Sequence, residues 1–216
     1  MLVDDFPLVG LRLMTPRLEL RLPSAEELGA LAALAADGIH PPSAMPFLVP
    51  WTDRPSAEVA RGVIQHHWSR LGNWTPDDWS LNLTVLHSGV VVWQQTLGAR
   101  DLAILREVGT GSWLGKRHQG QGIGTEMRAA VLHLAFAGLG AESAISGAFE
   151  DNLASQGISR KLGYRPDGLQ RHAVRGGART VRRLRLLRAD WERCRSIPVT
   201  IDGLSLCRPL FGIAPA

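Results

Sequence analysis

The chain is almost without lysine: of its 24 basic residues only Lys116 and Lys161 are lysines, and against 20 acids the formal net charge is +4. An excess so small and so scattered draws no electrostatic footprint for nucleic acid, which falls to a distant third among the possible functions. Cysteine is equally scarce. Cys194 and Cys207 lack the C-x-x-C spacing of a metal or redox motif, and in a chain with no sign of export they read as reduced thiols rather than a disulfide. No apolar run approaches a membrane span. The opening MLVDDFPLVG carries acids where an export signal carries bases, so a cytoplasmic protein with no membrane contact is expected. His66 and His67 are adjacent, not four apart; they point to different sides of a helix and cannot chelate one ion, and no metal site is expected.

What is present is ordinary globular material, 216 residues with 45% apolar and 20% charged content, enough for one sizeable core. We read residues 1–195 as one domain and 196–216 as an extension packed on it or on a partner. Leu18, Leu20 and Leu22 alternate with Arg17, Glu19 and Arg21 as in a half-buried strand, and Ser24 with Glu27 forms a capping box that opens a helix through about Ala36. The proline-rich stretch from Pro41 to Pro55 is a rigid loop whose Met45, Phe47 and Trp51 either line a substrate pocket or lid the core. A helix over Ser56–Leu71, strands over Ser80–Leu86, Val90–Leu97 and Glu107–Leu114, a strand over Ala144–Phe149, a helix from Asn152 to Leu162 and a strand over Thr180–Leu187 complete a mixed α/β pattern. The arginine-rich VRRLRLLR run, Val181–Arg188, reads as a strand with one solvated face, with an anionic ligand as the alternative. In the tail, Val199 and Ile201 alternate about Thr200 and predict an edge strand.

The rest of the chain is organised around Ser112–Ala137. A strand ending in Trp113 and Leu114 runs into the turn Gln119-Gly120-Gln121-Gly122-Ile123-Gly124-Thr125, and then into a helix whose Ile123, Met127, Ala130, Val131, Leu134 and Ala137 fall on one face. Backbone N–H groups at such a helix start have no intrahelical partner and sit at the positive end of the dipole, which is a site for phosphate; the plain alternative is a tight turn packing a helix on a sheet. The G-x-G-x-x-G dinucleotide fingerprint fails, because its third glycine falls on Thr125 or Met127. A P-loop fails at Thr110 and Arg117.

The spacing that fits is Q-x-x-G-x-G, at Gln119, Gly122 and Gly124, and here the sequence resembles the GNAT superfamily of acyl-CoA-dependent N-acyltransferases. A second pattern agrees: Asn152, Ser155, Ile158, Gly163 and Tyr164 in NLASQGISRKLGY match the family's motif after its fifth strand. The T-P-R-L-x-L-R opening is similar to the RimJ/RimL branch, and the resemblance covers roughly Leu13 to Leu187. It implies a GNAT fold, a central, mostly antiparallel twisted sheet of six to seven strands flanked by helices and splayed between the fourth and fifth strands, here Glu107–Leu114 and Ala144–Phe149. It also implies that coenzyme A is bound by Trp113, Leu114, Gln119, Gly120, Gln121, Gly122, Ile123, Gly124, Thr125, Asn152 and Ser155.

Acyl transfer from a thioester to an amine needs a base for the amine proton, a donor to polarise the carbonyl and a proton for the departing thiolate. The resemblance puts the carbonyl donor at the backbone of Leu114 or a neighbour. It makes Ser155 the thiolate partner, with Ser159, which stands where many relatives carry tyrosine, as the second candidate; otherwise Ser155 hydrogen-bonds the coenzyme. Where relatives carry a glutamate on the fourth strand, this chain has Gly109. Glu107, two residues upstream, is the candidate base; otherwise it is a solvated carboxylate, and Asp77, Asp78 and His118 are no better founded. Phe47 and Trp51 are the expected acceptor-binding residues. The expected activity is transfer from acetyl-CoA to a primary amine of a small molecule, a peptide N-terminus or a lysine. The MPFLVPW and CRPLFG segments look like a small group of actinobacterial GNATs that includes succinyltransferases, which keeps succinyl-CoA as a second donor. A homodimer is expected, and a coenzyme A-binding module without catalysis is the alternative.

Overall fold

The computed structural model describes residues 1–115 and 118–214. Its strands are β1 (Arg12–Met14), β2 (Leu18–Arg21), β3 (Asp78–His87), β4 (Val90–Arg100), β5 (Glu107–Leu114), β6 (Ser143–Phe149), β7 (Arg165–Val174), β8 (Gly177–Leu187) and β9 (Thr200–Asp202). Its helices are α1 (Leu2–Asp5), α2 (Ala25–Ala36), α3 (Ser56–Gly72), α4 (Leu102–Leu105), α5 (Ile123–His133), α6 (Leu153–Lys161), α7 (Arg188–Cys194) and α8 (Leu204–Cys207). The strands form one sheet in the order β7-β8-β6-β5-β4-β3-β2-β1-β9.

Among the described residues nine strands replace the six to seven expected, for identifiable reasons. The alternation of Leu18, Leu20 and Leu22 folds as β2, and the residues before it add β1, paired with it as a hairpin. Thr15 N–H donates to Leu18 O at 2.9 Å and Leu18 N–H to Thr15 Oγ1 at 3.0 Å, and Leu13 lies opposite Leu20. β7 holds Pro166 and Gly168, residues that argue against a strand. As the sheet's edge it needs no donor on its outer side, and the register shifts between Pro166 and Leu169. The tail adds β9 antiparallel to β1. Beyond it Phe211 is fully buried, 4.8 Å from the Trp79 ring, and Trp74 Nε1 donates to Leu210 O at 2.7 Å.

α5 covers one face of the sheet, where Met127, Ala130, Val131 and Leu134 are fully buried with Leu81, Leu83 and Leu97. One residue of the expected stripe fails: Ala137 is exposed. After His133 the helix widens into a π turn, Leu134–Gly138, which shifts the phase so that Ala135 and Phe136 point inward instead. α2, capped by Ser24 and Glu27 as expected, packs with α3 on the opposite face through Leu28, Leu31, Val59 and Val63. Both thiols are free.

β5 and β6 are the one parallel pair among the described residues, and they pair over only three positions, Glu107–Ser143 to Gly109–Ile145. Beyond these, Thr110–Leu114 ladder with β4 alone and Ser146–Phe149 with β8 alone. The Thr110 hydroxyl stands in the fork, donating to Ile145 O at 3.5 Å and 3.2 Å from the Tyr164 hydroxyl. The sheet therefore opens into a V whose arms each lead into a helix.

Candidate active site

The arm formed by β5 leads to α5 through a turn built for backbone exposure. Gly120 and Gly122 hold φ of +76° and +80°, conformations that side-chain-bearing residues rarely adopt. Gly122 is the N-cap of α5 and supplies no side chain to cap it, so the N–H groups of Ile123 and Gly124 have no acceptor among the described residues. Gly124 permits close packing. A Cβ there would lie 2.8 Å from Ile158 Cδ1 on α6 and 3.0 Å from Trp93 on β4. Gln119 fixes the turn rather than facing it, since its Nε2 donates to Ile39 O at 3.2 Å.

Glu126, which the motif reading passed over, braces this turn together with Thr15 and Arg17 of the T-P-R-L-x-L-R opening. Glu126, in the first turn of α5, accepts from Thr15 Oγ1 at 2.7 Å, Arg17 N–H at 3.0 Å and Arg17 Nε at 2.7 Å, while Arg17 also donates to Gln121 O at 3.1 Å. Burial by itself would raise the Glu126 pKa, but the bonds from Thr15 and Arg17 outweigh it and hold the carboxyl below its ordinary value. The available signal was an acid in a helix's first turn, where it complements the dipole.

The arm formed by β6 ends in α6, and here the structure closes the helix start. Asn152 Oδ1 accepts from Ser155 N–H at 3.1 Å, so the side chain assigned to the coenzyme is first an N-cap. The Ser155 hydroxyl makes no hydrogen bond among the described residues. Ser159 is buried instead: its Oγ donates to Ser155 O at 3.0 Å and accepts from Arg128 at 2.8 Å.

On the face shared with α2 and α3, β5 alternates Glu107, Gly109, Gly111 and Trp113. Gly111 is exposed, and a Cβ added there would meet nothing within 4 Å, so the middle of this face is an open groove. Its upper end is aromatic. Trp113 is 6.0 Å from Trp51, Trp51 is 5.2 Å from Phe47, and Phe47 also packs with Met45 beside Phe149, Val174 and Val181. The Pro41–Pro55 loop thus spans the V from one arm to the other. An Arg175–Asp53 ion pair and a bond from Arg175 to Pro42 O at 3.1 Å fasten it to the β7–β8 turn. Behind Trp113, Gln94 Oε1 accepts from Trp113 Nε1 at 3.2 Å and meets His67 Nε2 at 3.0 Å. Burial drives the His67 pKa down to about 4, so the ring is neutral and its Nε2 is the donor.

Glu107 lies at the closed end of the V. It pairs with Arg185 and accepts from Ser143 Oγ at 2.8 Å, so its carboxylate is engaged away from the open groove. Neighbouring arginines are likewise spent on acids: Arg183 and Arg185 on Asp167, Arg182 on Glu150. The Leu114 backbone is the last of β5; its side chain lies outside the described residues. Among the described residues, no group of histidine, cysteine and acidic side chains is placed to hold a metal ion, and no helix is long and apolar enough to cross a membrane.

A splayed parallel pair with an uncapped glycine turn at one tip and an asparagine-capped helix at the other is the geometry that the sequence motifs anticipate. The family model of the acetyltransferase (GNAT) domain matches residues 17–165, more than half of the chain. The chain belongs to the GNAT acetyltransferase family. Solved structures share the fold at low identity. RimJ of Mycobacterium smegmatis, in complex with a coenzyme A disulfide, is 20% identical with a TM-score of 0.65, covering 82% of this chain and 85% of its own. RimL, a ribosomal L7/L12 alpha-N-protein acetyltransferase in complex with coenzyme A, is 17% identical with a TM-score of 0.63, covering 80% and 95%. A GCN5-related N-acetyltransferase from Brucella melitensis is 18% identical with a TM-score of 0.63, covering 84% and 80%. As a GNAT protein, this chain carries both motifs on the two arms of one V.

Proposed function

We propose that this GNAT acetyltransferase uses an acyl-CoA thioester, acetyl-CoA by default, and transfers its acyl group directly to a primary amine. The observation that carries the reading is the pair of unclaimed N–H groups at the α5 start, beside an arm of β5 with no partner on its inner side. The turn Gln119–Thr125 would hold the pyrophosphate through its backbone, with Trp113 and Leu114 of β5 and Asn152 and Ser155 of α6 flanking the rest of the coenzyme. The Leu114 N–H would polarise the thioester carbonyl, and the Ser155 hydroxyl, without a partner among the described residues, would meet the departing sulfur.

The acceptor enters by the groove over Gly109 and Gly111, with Phe47 and Trp51 at its upper end. Glu107 is occupied by Arg185 and Ser143, so in this reading the amine proton leaves through water in that groove rather than directly to Glu107. RimL's being an alpha-N-protein acetyltransferase supports a peptide N-terminus as acceptor, beside a lysine or a small amine. Succinyl-CoA is the second donor, and a homodimer formed on an outer strand edge is the proposed assembly, testable by sedimentation.

The test is thermal stabilisation by coenzyme A, acetyl-CoA and succinyl-CoA, followed by thiol release with a panel of amines and peptides. A ligand at 100 times its dissociation constant adds roughly 2.7 kcal/mol. Stabilisation by acetyl-CoA with thiol release on a peptide amine supports the reading, and a larger shift with succinyl-CoA changes the donor. Binding without thiol release from any amine makes the chain a coenzyme A-binding module, and no stabilisation sinks the site.

A further inference from the structure

Arg128 sits on the inner side of α5 with 3% of its surface exposed, and no carboxylate among the described residues pairs with it. The nearest acid in sequence, Glu126, is engaged by Arg17 and Thr15. One Arg128 nitrogen donates to Ser159 Oγ at 2.8 Å, and its Nε is buried with no partner among the described residues. The titratable group facing it is Tyr164, itself buried, which bonds to Thr110 in the fork of the V. Burying a guanidinium without a counter-charge is costly, and a leucine or methionine would fill the same space more favourably. A residue kept at such a cost calls for an anion or a transition state to serve.

The Ser159 hydroxyl that accepts the Arg128 bond donates its own hydrogen bond to Ser155 O at 3.0 Å, so the guanidinium grips the turn of α6 that carries Ser155. We infer that Arg128 is a positioning residue for thiol departure: through Ser159 it fixes the first turn of α6 and sets a positive charge behind Ser155, where sulfur becomes negative. The inference rests on the acyl transfer proposed above. In that reaction the amine nitrogen forms the new C–N bond, the C–S bond breaks with its electron pair on sulfur, and the amine's proton leaves through water. The sulfur is then protonated by way of the Ser155 hydroxyl, which solvent replenishes. Arg128 itself exchanges no proton.

The test reads the thiol of bound coenzyme A directly, by its thiolate ultraviolet absorbance against pH in wild type, Arg128→Met, Arg128→Lys and Ser159→Ala. The expected result is a bound thiol that titrates about one pH unit higher in Arg128→Met than in wild type, with Arg128→Lys and Ser159→Ala in between. In turnover, kcat falls about tenfold in Arg128→Met while KM for acyl-CoA holds within about twofold. Should Arg128→Met not fold, Arg128→Lys and Ser159→Ala decide between the same two results. If coenzyme A binds but its thiol titrates alike in wild type and every folded variant, Arg128 is structural and the inference falls alone. If wild type fails to bind coenzyme A, the proposed function falls first and takes the inference with it.

Discussion

The two arms of the V make the same transition, strand to helix, by opposite means. β5 reaches α5 through glycines in left-handed conformations and leaves the helix start uncapped, while β6 reaches α6 through Asn152, whose side-chain Oδ1 closes its own helix. The contrast separates a helix start offered to a ligand from one satisfied by the chain. Supports differ in kind as well. The α5 start is braced by a partly buried ion pair from the N-terminal hairpin, Arg17 to Glu126, and the α6 turn by a hydroxyl relay from Arg128.

The contrast breaks most completely at Gly122. Gly122→Val asks a β-branched residue to hold φ near +80°, which costs about 1–2 kcal/mol and turns the free N–H groups away. Stabilisation by acetyl-CoA is expected to disappear in a thermal melt, while the protein without ligand still folds cooperatively.

The β5 arm is backed by His67 through Gln94 and Trp113, which makes it sensitive to acid. Burial holds the folded His67 pKa near 4 against 6.5 unfolded, so the unfolded chain binds the extra proton first. The stability from the neutral ring is present above pH 6.5 and lost as pH falls towards about 4. The decline amounts to about 3 kcal/mol at most, and His67→Gln should flatten it in denaturant titrations across that window. Burial pushes His66 and His133 in the same direction, so some slope will persist.

On the other arm, Asn152→Ala should cost about 1 kcal/mol in urea unfolding by removing the α6 cap, and Asn152→Ser should recover most of it. An equal loss of coenzyme A binding in both variants would show that Asn152 serves the ligand as well as the helix. The smallest effect concerns the bridge between the arms. Arg175→Ala breaks a partly exposed pair with Asp53 and should cost no more than about 1 kcal/mol. Its clearer trace is a raised KM for the amine with an unchanged KM for acyl-CoA, since the loop it fastens carries Phe47 and Trp51.

Local chemistry made much of this legible in advance. Gly122 and Gly124 at a strand-to-helix junction, Asn152 before a helix and Gly163 after it announce themselves, because glycine and capping residues answer to backbone demands within a few residues. The apolar periods marked β5, α2 and α3 nearly to the residue for the same reason. β1 stayed hidden because its three residues are too short to show a period, and β7 because its tolerance of Pro166 depends on its being an edge.

The sequence by itself determined the two motifs, the order of most elements and the family they point to, all set by spacing along the chain. Only the tertiary structure decided that Glu107 is spent on Arg185, that the Pro41–Pro55 loop bridges both arms of the V, and that Arg128 lies buried beside Ser159 with no acid paired to it among the described residues. Those are facts about which distant side chains meet, Glu107 and Arg185 or Asp53 and Arg175, and no local period encodes a partner across the fold.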